Sequence, residues 1–362
     1  MITESKSEKS MVSELWNKRP IIISGPCSAE TEYQVLETAT RLANTGKVDM
    51  LRAGIWKPRT KPGLFEGIGT NGLPWLLQAK KITGLPTTVE VATAKHVEDA
   101  LQFEVDVLWI GARTTVNPFS VQEIADALRG VDIPVLIKNP VHPDLELWSG
   151  GIERIQHSGI KNIGMIHRGF SSYGNTEFRN APMWHLPIEM KRRFPGMLLL
   201  CDPSHICGNR MNLQSVAQKS IDLDFSGLMI ESHIDPDNAW SDAKQQVTPE
   251  NLAGIIDALI WRYEQTDATE FITALATLRE QINQLDDELL TLLGQRMKIA
   301  DRIGSYKKDN KIIILQTNRW NEILERAYQK GESLGLSKEF ITRYFDAVHL
   351  ESIHHQNKVM NS

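Results

Sequence analysis

What this 362-residue chain lacks narrows its function before any motif is read. No run of 18 or more apolar residues exists, and the opening MITESKSEKSMVSELW has no apolar stretch of a secretion signal, so a cytoplasmic chain with no membrane span is expected. Cysteine is scarce. The three residues Cys27, Cys201 and Cys207 are too few and odd in number for a disulfide framework, so each is expected to be a buried thiol or a metal ligand. Positive charge is not in excess either. With 45 acidic against 40 basic residues the net charge is −5, which offers no general attraction to nucleic acid or an anionic membrane, so any anion must be bound locally. Internal repeats and low-complexity tracts are also missing. The remainder, 41% hydrophobic and 23% charged over more than one average domain length, predicts two soluble domains, one of them large.

The densest chemistry lies in RAGIWKPRTKPGLFEG (52–67), where Arg52, Lys57, Arg59 and Lys61 crowd together beside Pro58, Pro62, Gly54 and Gly63. Two prolines that fix φ and remove backbone donors rule out a regular element, so this is expected to be a shaped cationic loop leaving the apolar run 48–51. The rhythm recurs along the chain. PIII (20–23) leads into SGPCS, PTTVEV carries Glu90, VLWIGAR ends at Arg113, and IPVLIK ends at Lys138. NIGMIHR then ends at Arg168, MLLLCDPSH at His205, and GLMIES at Glu231 and Ser232. Eight such runs alternating with helical patterns over roughly 250 residues predict an α/β fold, a (β/α)8 TIM barrel, with a doubly wound open sheet as the alternative.

In a barrel the C-terminal strand ends share one face, so Cys27, Arg52, Lys57, Arg113, Lys138, Arg168, His205 and Glu231 are expected to line one pocket. So many cations in one cleft require dense negative charge, and phosphate with carboxylate suits the arginine fork. Cys27, His205, Glu231 and Asp242 add a thiolate, an imidazole and two carboxylates, a mixed set suited to Mn, Fe, Co or Zn rather than Mg or Ca. Cys207, just past DPSH, competes with Cys27 as the sulfur ligand, whereas Cys201 sits inside an apolar run.

The motifs GPCS (25–28), RAGIWKPRT (52–60), IGAR (110–113), LIK (136–138), HRG (167–169), DPSH (202–205) and ESHIDPDNAWSDAKQ (231–245) resemble, in order, those of 3-deoxy-D-arabino-heptulosonate 7-phosphate (DAHP) synthase of the type I, Iβ subclass. The resemblance implies that Arg52, Lys57, Arg113, Lys138 and Arg168 bind phosphoenolpyruvate and that Arg59 and Thr60 hold the phosphate of erythrose 4-phosphate. It also implies a divalent metal on Cys27, His205, Glu231 and Asp242. Such a metal polarises the aldehyde, C3 of phosphoenolpyruvate attacks it, and water captures C2 before phosphate leaves. Either Lys57 or His205 is placed to move protons. The nearest rival is 3-deoxy-D-manno-octulosonate 8-phosphate synthase, which typically has an asparagine-containing loop where this chain has KPRT, so KPRT favours the four-carbon aldose. With 19 residues before the first strand, no regulatory domain is expected there.

Beyond the polar EQTDATE (264–270) the pattern turns purely helical. The expected division is a barrel at 1–264, a linker at 265–271 and a helical domain at 272–362. Leu275, Leu278, Ile282, Leu285, Leu289, Leu292, Met297, Ala300 and Ile303 recur at helical spacing, predicting one helix of roughly 50 Å, followed by helices near 316–334 and 338–358. So long a stripe needs a partner helix, so a homodimer through these helices is expected. TLREQINQLDDELLTLLGQRMKIADRIGSYK (277–307) resembles the three-helix AroQ class of chorismate mutase, which dimerises. The resemblance implies a site of Arg279, Arg296, Lys307, Arg319, Ser352 and Gln356 that clamps chorismate for rearrangement to prephenate, with no covalent step. Gln316 and Trp320 depart from the acidic residues common in that family. Arg279 and Arg296 are 17 positions apart, about 25 Å along one helix and too far for one chorismate, so two chains should share each site. Feedback by prephenate or chorismate on the condensation, through the helical domain, is the expected regulation.

Overall fold

Eight largely apolar runs of four or five residues, buried along their whole length except at Glu90, pair in parallel and in chain order to close a barrel. The structure, a computed structural model, describes residues 8–58, 63–174, 177–262 and 266–361 and divides into two units, Met1–Glu264 and Gln265–Ser362. The strands are β1 (Ile21–Gly25), β2 (Met50–Ala53), β3 (Thr87–Val91), β4 (Val107–Ile110), β5 (Val135–Lys138), β6 (Ile163–His167), β7 (Leu198–Cys201) and β8 (Gly227–Glu231). Continuous burial is expected of parallel strands covered on both faces. Residues such as Ile21, Ile23, Met50, Trp109 and Met229 fill the barrel interior, while their neighbours Ile22, Leu51, Leu108 and Ile137 pack in a second cluster under the helices.

The segment before β1, polar by composition, contains a helix, α1 (Glu8–Asn17). Val12 is buried in the interior cluster, with Leu15 and Trp16 packed against it. These three recur at helical spacing, a stripe too short to stand out among the charges around it. The outer layer is α2 (Glu32–Asn44), α3 (Leu73–Thr83), α4 (Ala94–Gln102), α5 (Ala112–Thr115), α6 (Pro118–Ala127), α7 (Leu145–His157), α8 (His185–Arg193), α9 (Pro203–Cys207), α10 (Leu213–Asp222) and α11 (Pro249–Asp257). Side-chain caps fix where several begin: Thr31 accepts from Gln34 N at 3.1 Å, and Asp144 from Leu147 N at 3.0 Å.

The second unit is three helices, α12 (Thr269–Asp309), α13 (Thr317–Ser333) and α14 (Lys338–Asn361). With 41 residues, α12 is about 60 Å long, running from Thr269, inside the expected linker, to Asp309. α14 packs on α12 closely enough that a Cβ at Gly304 would lie 3.0 Å from Gln356 Cα. Along α12, Leu278, Ile282, Leu285, Leu289 and Leu292 are all half or more exposed. Among the described residues no helix is long and apolar enough to cross a membrane.

Candidate active sites

The barrel brings its cations to the C-terminal ends of the strands. Arg52, at the end of β2, is 1% exposed and lies 3.2 Å from Glu231 through Nη2, while its Nε and Nη1 have no hydrogen-bond partner. Its guanidinium stands 5.0 Å over the Trp109 ring, and Lys138 Nζ lies 5.8 Å from the same ring. Burial works against the charge on Arg52, but Glu231 and Asp202 outweigh it and raise its pKa. Lys138 pairs with Asp202 at 2.7 Å, yet burial prevails and lowers its pKa. Arg168 donates to Asn180 Oδ1 at 2.7 Å, and burial brings its pKa down to about 10. Arg113 is exposed in α5, with its charge felt at Arg168. Lys57 reaches the Cys27 carbonyl at 2.8 Å and its sulfur at 3.0 Å. Burial opposes the Lys57 charge, but Cys27 and Glu231 raise its pKa. Arg59 and Thr60, expected to hold the sugar phosphate, lie outside the described residues.

The four residues expected to hold a metal form two contacting pairs. Cys27 Sγ is 3.4 Å from Asp242 Oδ2, and His205 Nε2 is 3.9 Å from Glu231 Oε1. Arg52 and Lys57 link them, the first touching Glu231 and the second Cys27. Burial, then Glu231, pushes the Cys27 thiol up to about 12. Burial also keeps His205 below its ordinary value despite Asp202 at 2.8 Å. Glu231 and Asp242 resist burial and stay low, Glu231 through His205 and Arg52, Asp242 through Arg179 and His205. Among the described residues no three His, Cys, Asp or Glu side chains are arranged to hold an ion as they stand. The donor set nevertheless fits one: a buried Glu231 oxygen, paired with Arg52, faces an imidazole, beside a thiol already in contact with a carboxylate. Cys207 and Cys201 belong instead to the apolar cluster under the helices.

In the helical unit Arg296, Lys307, Gln316, Arg319, Trp320, Ser352 and Gln356 line one cavity of about 380 Å³ between the helices. Arg296 donates to Ser352 Oγ and to the Val348 carbonyl at 3.4 Å, and partial burial lowers its pKa. Lys307 donates to the Ile314 carbonyl at 2.5 Å. Gln356 Oε1 is buried without a partner. Trp320 stacks on His349 with ring centroids 4.2 Å apart. Arg279 does not line this cavity and is exposed on α12.

Residues 6–268 match the model of the DAHP synthetase I family. The chain belongs to that family. Residues 278–357 match chorismate mutase type II. The phospho-2-dehydro-3-deoxyheptonate aldolase of Thermotoga maritima is 31% identical over 226 residues, covering 62% of this chain and 64% of that protein's length. A crystal structure of the Thermotoga maritima DAHP synthase superposes with a TM-score of 0.60 at 29% identity, covering 66% of this chain and 67% of that one. Similarity extends to 2-dehydro-3-deoxyphosphooctonate aldolases. That of Caulobacter vibrioides is 28% identical over 269 residues (67% of this chain, 87% of that protein), and that of Brucella ovis 27% over 294 (72% and 97%).

Several residues around the DAHP synthetase family barrel's site escaped the sequence reading. Asp202 supports both Lys138 and His205, and it could have been suspected from its place in DPSH. Trp109, beneath two cations, looked like one more apolar strand residue. Gln245 closes the motif at 231–245 without being marked as functional, and Arg179 and Asn180 lie on a long connection with no pattern at all.

Proposed function

We propose that the barrel condenses phosphoenolpyruvate with D-erythrose 4-phosphate to DAHP and phosphate, and that the helical unit rearranges chorismate to prephenate. The two family matches support the transferase and the isomerase activity. The observation that carries the first is Arg52, a buried fork with two unpartnered nitrogens among Lys138, Lys57 and Trp109, an arrangement that an anionic substrate would complete.

In this reading Arg52, Lys138 and Arg168 grip carboxylate and phosphate and turn the enol so that C3 meets the aldehyde carbon. Cys27, His205, Glu231 and Asp242 would hold a divalent ion of the Mn, Fe, Co or Zn type, which supplies Lewis-acid polarisation of the aldehyde when bound. Lys57, kept protonated by Cys27 and Glu231, is suited to donate a proton to the new hydroxyl, and water adds at C2 before the C–O bond to phosphate breaks. Arg59 and Thr60 take the sugar phosphate.

In the helical unit Arg296, Lys307 and Arg319 clamp the two carboxylates, with Ser352 and Gln356 beside them, so that orientation alone lowers the barrier. Arg279 enters the same site from a second copy of the chain. The exposed leucine stripe of α12 supports that dimer. Prephenate or chorismate bound there regulates the condensation.

Assaying the purified full-length chain for both reactions tests these assignments. Chelation is expected to stop the condensation, and Mn²⁺ to restore it, while mutase turnover continues. Condensation indifferent to chelation overturns the metal assignment. Faster condensation with D-arabinose 5-phosphate than with erythrose 4-phosphate overturns the choice of aldose.

A further inference from the structure

The connection between β6 and α8 contains a short strut that contacts two of the four residues assigned above to the ion and reaches a third through Gln245. Arg179 Nη1 donates to Asp242 Oδ1 at 3.0 Å and to Gln245 Oε1 at 2.8 Å. Gln245 passes the contact on, its Nε2 donating to Glu231 Oε2 at 2.6 Å. The next residue, Asn180, donates to the His205 carbonyl at 2.6 Å and accepts from Arg168 at 2.7 Å.

The strut's backbone is fixed by pairing. Arg179 N donates to the Cys207 carbonyl at 3.4 Å and Asn180 N to that of Ile206 at 3.1 Å, while Phe170 and Ala181 exchange two bonds of 2.8 Å. Gly208 makes room for it, since a Cβ there would lie 2.5 Å from Arg179 Cβ. Asp242 sits at φ +45°, in the left-handed region, so its contacts rather than an ordinary backbone preference hold its direction.

These bonds divide the oxygens of each carboxylate. Asp242 gives Oδ1 to Arg179, and its Oδ2 faces the Cys27 sulfur at 3.4 Å. Glu231 gives Oε2 to Gln245, and its Oε1 lies 3.2 Å from Arg52 Nη2 and 3.9 Å from His205 Nε2. One oxygen of each is thus tied back while the other faces Cys27 or His205, the Glu231 oxygen pairing with Arg52 as well. Ligands held by a second layer of hydrogen bonds in this way bind metal more tightly.

Resting on the metal reading above, we propose that Arg179, directly and through Gln245, is a positioning residue that orients the Asp242 and Glu231 carboxylates toward a divalent ion. Its distance from the phosphoenolpyruvate cations is bridged by Asn180, so the same segment also steadies Arg168.

The test titrates the metal-free full-length protein with Co²⁺, following the thiolate-to-cobalt charge-transfer band, the d–d bands and competition by a chelator. The parental protein should show the thiolate band and Cys27→Ser should lose it. Arg179→Ala is expected to keep the band, weaken Co²⁺ binding by about 10- to 100-fold and alter the d–d bands, with the thermal midpoint of the metal-free protein and the mutase rate unchanged. Arg179→Lys should recover part of the affinity. Parental affinity and d–d bands in Arg179→Ala overturn the proposal while leaving the metal reading intact, and a parental protein without the thiolate band overturns both. If Arg179→Ala does not fold, Gln245→Ala decides: weaker Co²⁺ binding supports the proposal, and parental affinity overturns it.

Discussion

In the barrel, Arg52, Lys138 and Arg168 are buried at the ends of strands in a closed sheet, whereas in the helical unit Arg296 is only partly buried and Arg279 and Arg319 stand exposed. The sheet can afford buried cations because each meets a fixed partner, Glu231, Asp202 or Asn180, drawn from a different strand or connection. Three helices enclose much less. Their cavity is lined by cations from two helices, Arg296 and Lys307 of α12 and Arg319 of α13, and elsewhere on α12 an apolar stripe is left exposed. A closed sheet can therefore complete a site within one chain, while a thin helical layer leaves room for the proposed second copy to supply the missing wall.

The largest effect that would test this contrast is expected from Cys27→Ala. If Cys27 holds the proposed ion, losing it should cut condensation by about 1,000-fold, comparable to deleting a principal electrostatic group, and leave mutase turnover as it was. Condensation at the parental rate in that variant would show that the barrel site does not depend on this thiol.

Arg296→Ala should lower mutase turnover by about 100-fold or more, since a charge-assisted contact to carboxylate is lost, and Arg279→Ala should do the same from the opposite side. Mixed together, the two inactive variants should regain roughly one quarter of the parental activity, because half the dimers are mixed and each mixed dimer has one intact site. No recovery on mixing breaks the idea of a shared site. A smaller effect is expected on regulation: saturating prephenate should inhibit condensation about fivefold or more, and a chain ending near Thr266 should escape. Equal inhibition of both proteins would place the inhibitor on the barrel.

The smallest effect concerns acid stability. His167 is buried among the rings of Phe170, Trp184 and Phe225, and burial pushes its pKa down to about 3, the Pro182 carbonyl offsetting part of the shift. The unfolded chain binds this proton from about pH 6.5 downward and the folded barrel only near pH 3, so the stabilisation is full above 6.5 and is lost as pH falls between those values. The slope should approach about 1.4 kcal/mol per pH unit, and His167→Phe should flatten it in thermal melts of the barrel between pH 6.5 and 4.5. An unchanged slope would exclude His167 as its source.

Much of this was legible in the sequence because the barrel writes itself locally. Each strand is a short apolar run, and Arg52, Lys138, His205 and Glu231 end or follow one. The α12 stripe was equally visible, being periodic over many turns. What could not be read is contact between distant loops. That Cys27 rather than Cys207 meets Asp242 depends on the β1 and β8 connections lying side by side, as does the link from Arg179 through Gln245 to Glu231. α1 was missed for another reason: its buried side was only Val12, Leu15 and Trp16.

If the proposed ion is bound, the closing seam of the barrel would couple metal supply to the lifetime of the folded chain. β1 meets β8 along five residue pairs from Ile21↔Gly227 to Gly25↔Glu231, and Ser24 Oγ bonds the Ile230 carbonyl 206 residues away. The first strand must therefore wait until most of the chain has been synthesised before its last neighbour exists, the kind of non-local pairing that slows folding. Cys27 lies on one side of that seam, and Glu231 and Asp242 on the other. An ion held by all three would act as a clasp, favouring the closed barrel by about 2.7 kcal/mol when the free ion is at a hundred times its dissociation constant. Without it, newly made chains would spend longer with the seam open, where proteases can reach β1 and β8.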